Sequence, residues 1–222
     1  MNFTMIFAAL QKQQDEVRAQ KMGAYMRHQF AFLGVSAPLR RVISKPFLQE
    51  GKKAAATDWD FVHQCWESPY REMQYVALDY LKLRQQYLSP ADIPLLKQLI
   101  LTKSWWDSID CLDRIVGNIA LRYPELNALL LAWSGDDNQW LRRIAIDHQL
   151  LRKEQTHTEL LAQILVNNLE QKAFFVNKAI GWALREYSKT NPEWVRTFIA
   201  QHQSRMAKLS IREASKYLES LD

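Results

Sequence analysis

The sequence predicts an all-α protein, an α-solenoid of antiparallel helix pairs with one concave surface. Glycine and proline are sparse, at 6 and 7 of 222 residues, and apolar residues recur at intervals of three and four rather than two. Similar stretches led by Tyr70, Trp105, Trp140, Phe174 and Leu209 are separated by 35, 35, 34 and 35 residues. Each looks like the second helix of a pair. A repeat of this length is an α-solenoid unit: one pair cannot bury its apolar stripe alone, and stacking joins the stripes into a continuous core.

The elements follow in order. Thr57-Asp58 stands before an apolar run, Ser68-Pro69 precedes YREMQYVALDYL, and Ser89-Pro90 precedes a short apolar helix at 93–101. Ser104 lies three residues before Asp107, the spacing of a capping box ahead of WWDSIDCLDRIV. WLRRIAIDHQLL is the next second helix, an apolar helix at 159–169 leads to FFVNKAIGWALREY, and Asn191-Pro192 starts another helix before LSIREASKYLES. No linker divides the chain, so residues 1–222 are expected to form a single domain.

Composition narrows the function classes. The chain begins without the pattern of a signal peptide, and no stretch approaches the roughly 18 uncharged residues of a membrane span, so a cytoplasmic protein is expected. Cys65 and Cys111 stand alone at no metal-ligand spacing and are expected to be reduced. Cys111 and His148 are expected in the core. There is no glycine-rich phosphate loop, no histidine pair at metal spacing and no recognisable serine nucleophile set. The net charge of +5 is uneven: residues 171–216 hold nine basic and three acidic residues, and the rest hold 20 and 21. A polyanion would meet that basic segment first.

Candidate site residues lie on the repeated second helices. Trp106 and Asp110 are four apart and share a helix face, whereas Asp107 fits a cap and complements the helix dipole. Asp110 lies deeper, where it either pairs with a cation of a neighbouring repeat or faces the groove. Arg142 and Arg143 follow Trp140, with Arg143 in register to reach that groove or to bridge to an acid such as Asp136, Asp137 or Asp147. Lys178, Trp182, Arg185 and Lys189 run along one face, cations interleaved with an indole as in nucleic-acid grooves. The plainer alternative packs Trp182 against a neighbouring repeat while the cations snorkel around it.

The motifs KSWWDSID at 103–110, WLRR at 140–143 and KAIGWALREY at 178–187 resemble those of the AlkD family of DNA glycosylases. Tyr25-Met26-Arg27 with Phe32-Leu33-Gly34 is similar to the family's N-terminal motif. The resemblance runs nearly end to end. It implies a HEAT-like repeat fold that cradles duplex DNA in a basic concave groove and hydrolyses the N-glycosidic bond of cationic alkylpurines such as 7-methylguanine and 3-methyladenine. It implies no metal or organic cofactor, no obligate protein partner and a monomer. Carried across residue by residue, the catalytic cleft falls on Trp106, Asp110 and Trp182. Arg143, rather than Arg142, holds the backbone near the lesion, and Tyr25 is close by. Lys178, Arg185 and Lys189, with Arg142, complete the expected DNA contacts. The alternative is a catalytically silent solenoid that binds DNA structure or a protein; retention of Trp106, Asp110, Arg143 and Trp182 together argues against it.

Overall fold

The computed structural model describes residues 1–218. Among them are thirteen α-helices joined by short turns and no β-strand beyond one isolated bridge, Ala31 to Tyr70. The fold is all-α, consistent with an α-solenoid of helix pairs. Two compact units divide the chain, Met1–Leu88 and the residues from Ser89 onward.

The first unit contains α1 (Phe3–Gln11), α2 (Glu16–Tyr25), α3 (Ala37–Lys52), α4 (Trp59–Glu67) and α5 (Arg71–Arg84). Side-chain caps fix three starts: Asn2 accepts from the Met5 amide, Asp15 from Arg18, and Asp58 from Phe61. The Ser68-Pro69 signal acts two residues early, because Ser68 Oγ accepts from the Tyr70 amide and α5 begins at Arg71. α5 packs on both α3 and α4, with Met73, Val76, Tyr80 and Leu81 fully buried. The Phe32-Leu33-Gly34 motif is held by Glu72, whose carboxylate accepts from the amides of Leu33, Gly34 and Val35 at 3.0, 2.9 and 3.2 Å. Gly34 has φ +84°, and a Cβ there would come within 2.0 Å of the Asp15 carbonyl oxygen, so only glycine lets this loop meet the start of α2.

The second unit contains α6 (Ile93–Leu101), α7 (Trp106–Arg122), α8 (Asn127–Trp133), α9 (Gln139–Asp147), α10 (Thr158–Val166), α11 (Phe174–Ser188), α12 (Pro192–His202) and α13 (Lys208–Ala214). α7, α9, α11 and α13 pack successively on one another, while α6, α8 and α12 cover α7, α9 and α11, and α10 packs against α8 and α9. Leu112, Ile115, Val116, Ile144, Ile146, Ile180 and Leu184 are buried along these helices. Each such side chain contributes about 1.5–3 kcal/mol relative to exposure.

Three expectations change here. The capping box of Ser104 with Asp107 is replaced by a different start: Trp105 is the N-cap, and Ser104 Oγ donates back to the Ile100 carbonyl at 2.5 Å. Asp107 remains in the first turn, where its charge complements the helix dipole. Cys111, expected in the core, is exposed, because the buried stripe of α7 falls on Ile109, Leu112, Ile115 and Val116 and leaves Cys111 off it. His148 is buried as expected. The aromatic ladder has a shifted register: Trp105, Trp140 and Phe175 meet with centroids 5.0–6.0 Å apart, whereas Phe174 is 57% exposed. Edge and tilted contacts of this kind add about 0.5–1.5 kcal/mol per pair beyond burial.

Candidate active site

Three successive helices bring Asp110, Arg143 and Trp182 together. Arg143 on α9 donates from Nε and Nη2 to Asp110 Oδ1 on α7, at 3.0 and 2.8 Å, and from Nη1 to the Phe175 carbonyl on α11 at 2.7 Å. Its Nη2 also lies 3.6 Å from Asp147 Oδ2. The guanidinium is thus spoken for on every edge and its side chain is only 2% exposed, whereas that of Asp110 is 24% exposed. Asp110 thus pairs with the neighbouring repeat, as one of its two readings expected, while part of its side chain stays open to solvent. Arg142, its neighbour, is half-buried and takes no part in the Asp110 pairing.

Trp182 on α11 stands on the other side of Arg143. Its ring centroid lies 5.1 Å from the guanidinium carbon of Arg143 and 5.7 Å from both Lys178 Nζ and the Arg185 guanidinium carbon. Lys178 and Arg185 are in turn bound by one acid, donating to Glu213 on α13 at 2.7 and 2.8 Å. Gly181 makes this possible: a Cβ there would lie 2.5 Å from Glu213 Cβ and 3.1 Å from the Ser210 carbonyl oxygen. Lys189, expected on the same face, instead pairs with Glu186 at 2.5 Å and lies over the Tyr217 ring. Trp106 is half-buried one turn before Asp110 on α7. Tyr25 closes α2 in the first unit and is 71% exposed.

The electrostatics separate the acids. Burial pushes the Asp110 carboxyl above its ordinary range, and the charge and hydrogen bonds of Arg143 pull against it. Burial acts on Arg143 in the opposite sense, but Asp147, Asp110 and Asp113 outweigh it and hold the guanidinium charged. Glu213 lies below its usual range, first through the Lys178 hydrogen bond and then through the charges of Lys178, Arg185 and Arg212. Asp110, Asp113 and Asp147 each place a carboxylate oxygen within 4.8 Å of the others, the one such group among the described residues with metal-ligand spacing. Arg143 already supplies positive charge against two of the three.

A partly exposed carboxylate fixed by a buried arginine, with an indole ringed by cations against that same arginine, forms the polar centre of these helices. A family model for the DNA alkylation repair enzyme matches residues 6–218. The chain belongs to this DNA alkylation repair family. A solved structure described as a predicted DNA alkylation repair enzyme from Enterococcus faecalis is 35% identical, covers 92% of this chain and 96% of its own, and superposes with a TM-score of 0.86. No curated protein sequence matches the chain. Among the described residues, no helix of this family member is long and apolar enough to cross a membrane.

Glu213, Asp113 and Phe175 were missing from the sequence-level site, and Asp147 entered it only as one of three acids to which an arginine could bridge, which it does with Arg143. Asp147 follows Arg143 at i+4, a spacing that signals an ion pair, and Gly181 beside Trp182 marked a close approach without naming the partner.

Proposed function

We propose that this chain is a DNA glycosylase that hydrolyses the N-glycosidic bond of cationic alkylpurines, 7-methylguanine and 3-methyladenine among them, in duplex DNA as part of base excision repair. In this reading residues 1–222 act as one cytoplasmic, monomeric domain without a cofactor. The observation that carries it is Asp110: a partly exposed carboxylate whose position is fixed by two hydrogen bonds from a buried arginine.

As the bond from C1′ to the base nitrogen lengthens, positive charge grows on the deoxyribose while the base departs with the bonding electrons and becomes neutral. The Asp110 carboxylate stabilises that charge and orients the water whose oxygen bonds to C1′, and the water's proton passes to the carboxylate or to solvent. Trp106 and Trp182 offer indole faces to the cationic sugar or base, each contact worth about 0.5–2 kcal/mol. Lys178 and Arg185 turn from Glu213 to backbone phosphates, which frees a face of Trp182. Arg142, Lys189 and Tyr25 add contacts along the duplex. Arg143 acts first by orienting Asp110; to touch the backbone itself it must release Phe175 or Asp147.

Incubation of the purified protein with methylated duplex DNA is expected to release 7-methylguanine and 3-methyladenine, measured chromatographically. Tight DNA binding with every methylated base retained would support the silent scaffold instead. Affinity for DNA should be largely independent of sequence and should fall with salt. Each true phosphate contact removed, tested as Lys178→Ala, Arg185→Ala and Arg143→Ala, should reduce the magnitude of the log–log salt slope by about 0.9. An unchanged slope in all three variants would put the groove elsewhere.

A further inference from the structure

Behind Asp110 lies an acid pair that the proposed reaction does not use. Asp113 on α7 and Asp147 at the end of α9 have side chains 2% and 0% exposed. Both oxygens of Asp147 and Oδ1 of Asp113 have no hydrogen-bond partner among the described residues. The charged groups facing Asp147 are Arg143 on its own helix and Asp110, Asp113 and Arg114 on α7. α11 contributes the Phe175 carbonyl to Arg143, while its Lys178 and Arg185 are bound to Glu213. Of the other helices packed on α9, α8 carries no charged residue, Lys97 of α6 lies over the Trp133 ring, and Glu159 of α10 is exposed.

Three carboxylates therefore face two guanidinium groups, Arg143 and the half-exposed Arg114, which sits 3.5 Å from Asp113. One negative charge is left over where water does not reach. Burying an uncompensated charge is costly enough that the group takes up a proton instead. One proton on the Asp113–Asp147 pair, whose carboxylate oxygens lie within 4.8 Å of each other, would restore neutrality. Burial pushes Asp147 up to about 7, against the pull of Arg143. Asp113 is raised well above the carboxylate range, by burial first and then by the charge of Asp147.

We propose that Asp147 and Asp113 are positioning residues that share one proton behind Arg143, and that losing this proton sets a second full negative charge against the guanidinium while its Nε and Nη2 bonds to Asp110 stay in place. With the proton in place, the charge of Arg143 is committed to Asp110 and attenuates what that carboxylate offers the sugar. Once the proton leaves, Asp147 competes for Arg143, and the potential at Asp110 becomes more negative. Base release therefore rises with pH through the titration of the pair. The effect on rate rests on the glycosylase reading; the shared proton does not.

The test pairs a direct readout with a kinetic one. Carboxyl carbon NMR of the DNA-free protein should show an aspartate pair titrating near neutrality, with the Arg143 Nε–H resonance following the same curve. Both signals should vanish in Asp147→Asn. Single-turnover base release should rise about three- to tenfold across the same range in the native protein. It should stay flat at the low-pH rate in Asp147→Asn. In Asp113→Asn, where two carboxylates remain against two guanidinium groups, the rise should move to lower pH; this variant also decides the matter if Asp147→Asn does not fold. Carboxyls that titrate only below pH 5 overturn the proposal even if bases are released. Titration near neutrality followed by Arg143, with no base released by any variant, upholds the shared proton and removes the glycosylase reading.

Discussion

Asp110→Asn is expected to lower single-turnover release of 7-methylguanine on the order of 100-fold or more, with DNA affinity close to that of the native protein. The magnitude is that of removing one preorganised group aimed at charge which develops only in the transition state. The asparagine oxygen can still accept from Arg143 Nε and Nη2, which now bond Asp110 Oδ1 at 3.0 and 2.8 Å. The local geometry should therefore survive, at a cost of about 1–3 kcal/mol for weakening a charge-assisted pair. The proposed phosphate contacts lie on other residues, so binding should be spared while the rate collapses. Asp107→Asn supplies the contrast. It stands in the first turn of α7, where loss of its charge costs about 1 kcal/mol at most and leaves the rate near the native value. Near-native excision by Asp110→Asn, or equal loss in both variants, would remove the catalytic assignment.

The fold was legible because its signal is repetitive. The stretches begun by Tyr70, Trp105, Trp140, Phe174 and Leu209 correspond to α5, α7, α9, α11 and α13. Local rules fixed single residues less well. Ser104 and Asp107 have the spacing of a capping box, yet the backbone enters α7 one residue later and Ser104 bonds the end of α6 instead. Phe174 and Phe175 are adjacent aromatics, and only packing against Trp105 and Trp140 decides which one joins the ladder. Of the residues named from motif and register, Asp110, Arg143 and Trp182 lie together in the structure. Glu213 was not readable, because the fork it makes between Lys178 and Arg185 joins residues 35 and 28 positions away through a helix contact that Gly181 permits. Nor was the Asp113–Asp147 pair, since spacing alone does not say that two acids on different helices meet in the core.

Cationic lesions are expected to be excised and neutral ones to persist, and the distribution of protons around Asp110 gives the reason. A neutral base such as hypoxanthine or uracil leaves readily only if an acid protonates it during bond cleavage, whereas 7-methylguanine and 3-methyladenine already carry the positive charge. The acids held above their ordinary range near the site are Asp110, Asp113 and Asp147. Asp110 is tied to Arg143 and is required as an anion. Asp113 and Asp147, both raised first by burial, are sealed in the core with side chains 2% and 0% exposed, and so cannot reach a base. Arg143 is held firmly protonated by its three carboxylates and cannot donate to a leaving group. On the proposed reading the site would stabilise charge on the sugar without assisting the base, and its benefit should be similar for both cationic purines, leaving the lability of each bond as a main determinant of rate. Single-turnover release from duplexes carrying 7-methylguanine, hypoxanthine or uracil at one defined position should differ by at least roughly 1000-fold between the cationic base and either neutral one, equivalent to about 4 kcal/mol of absent general-acid catalysis. Comparable rates for all three would require a proton donor within reach of the base, and the mechanism built on Asp110 alone would have to be given up.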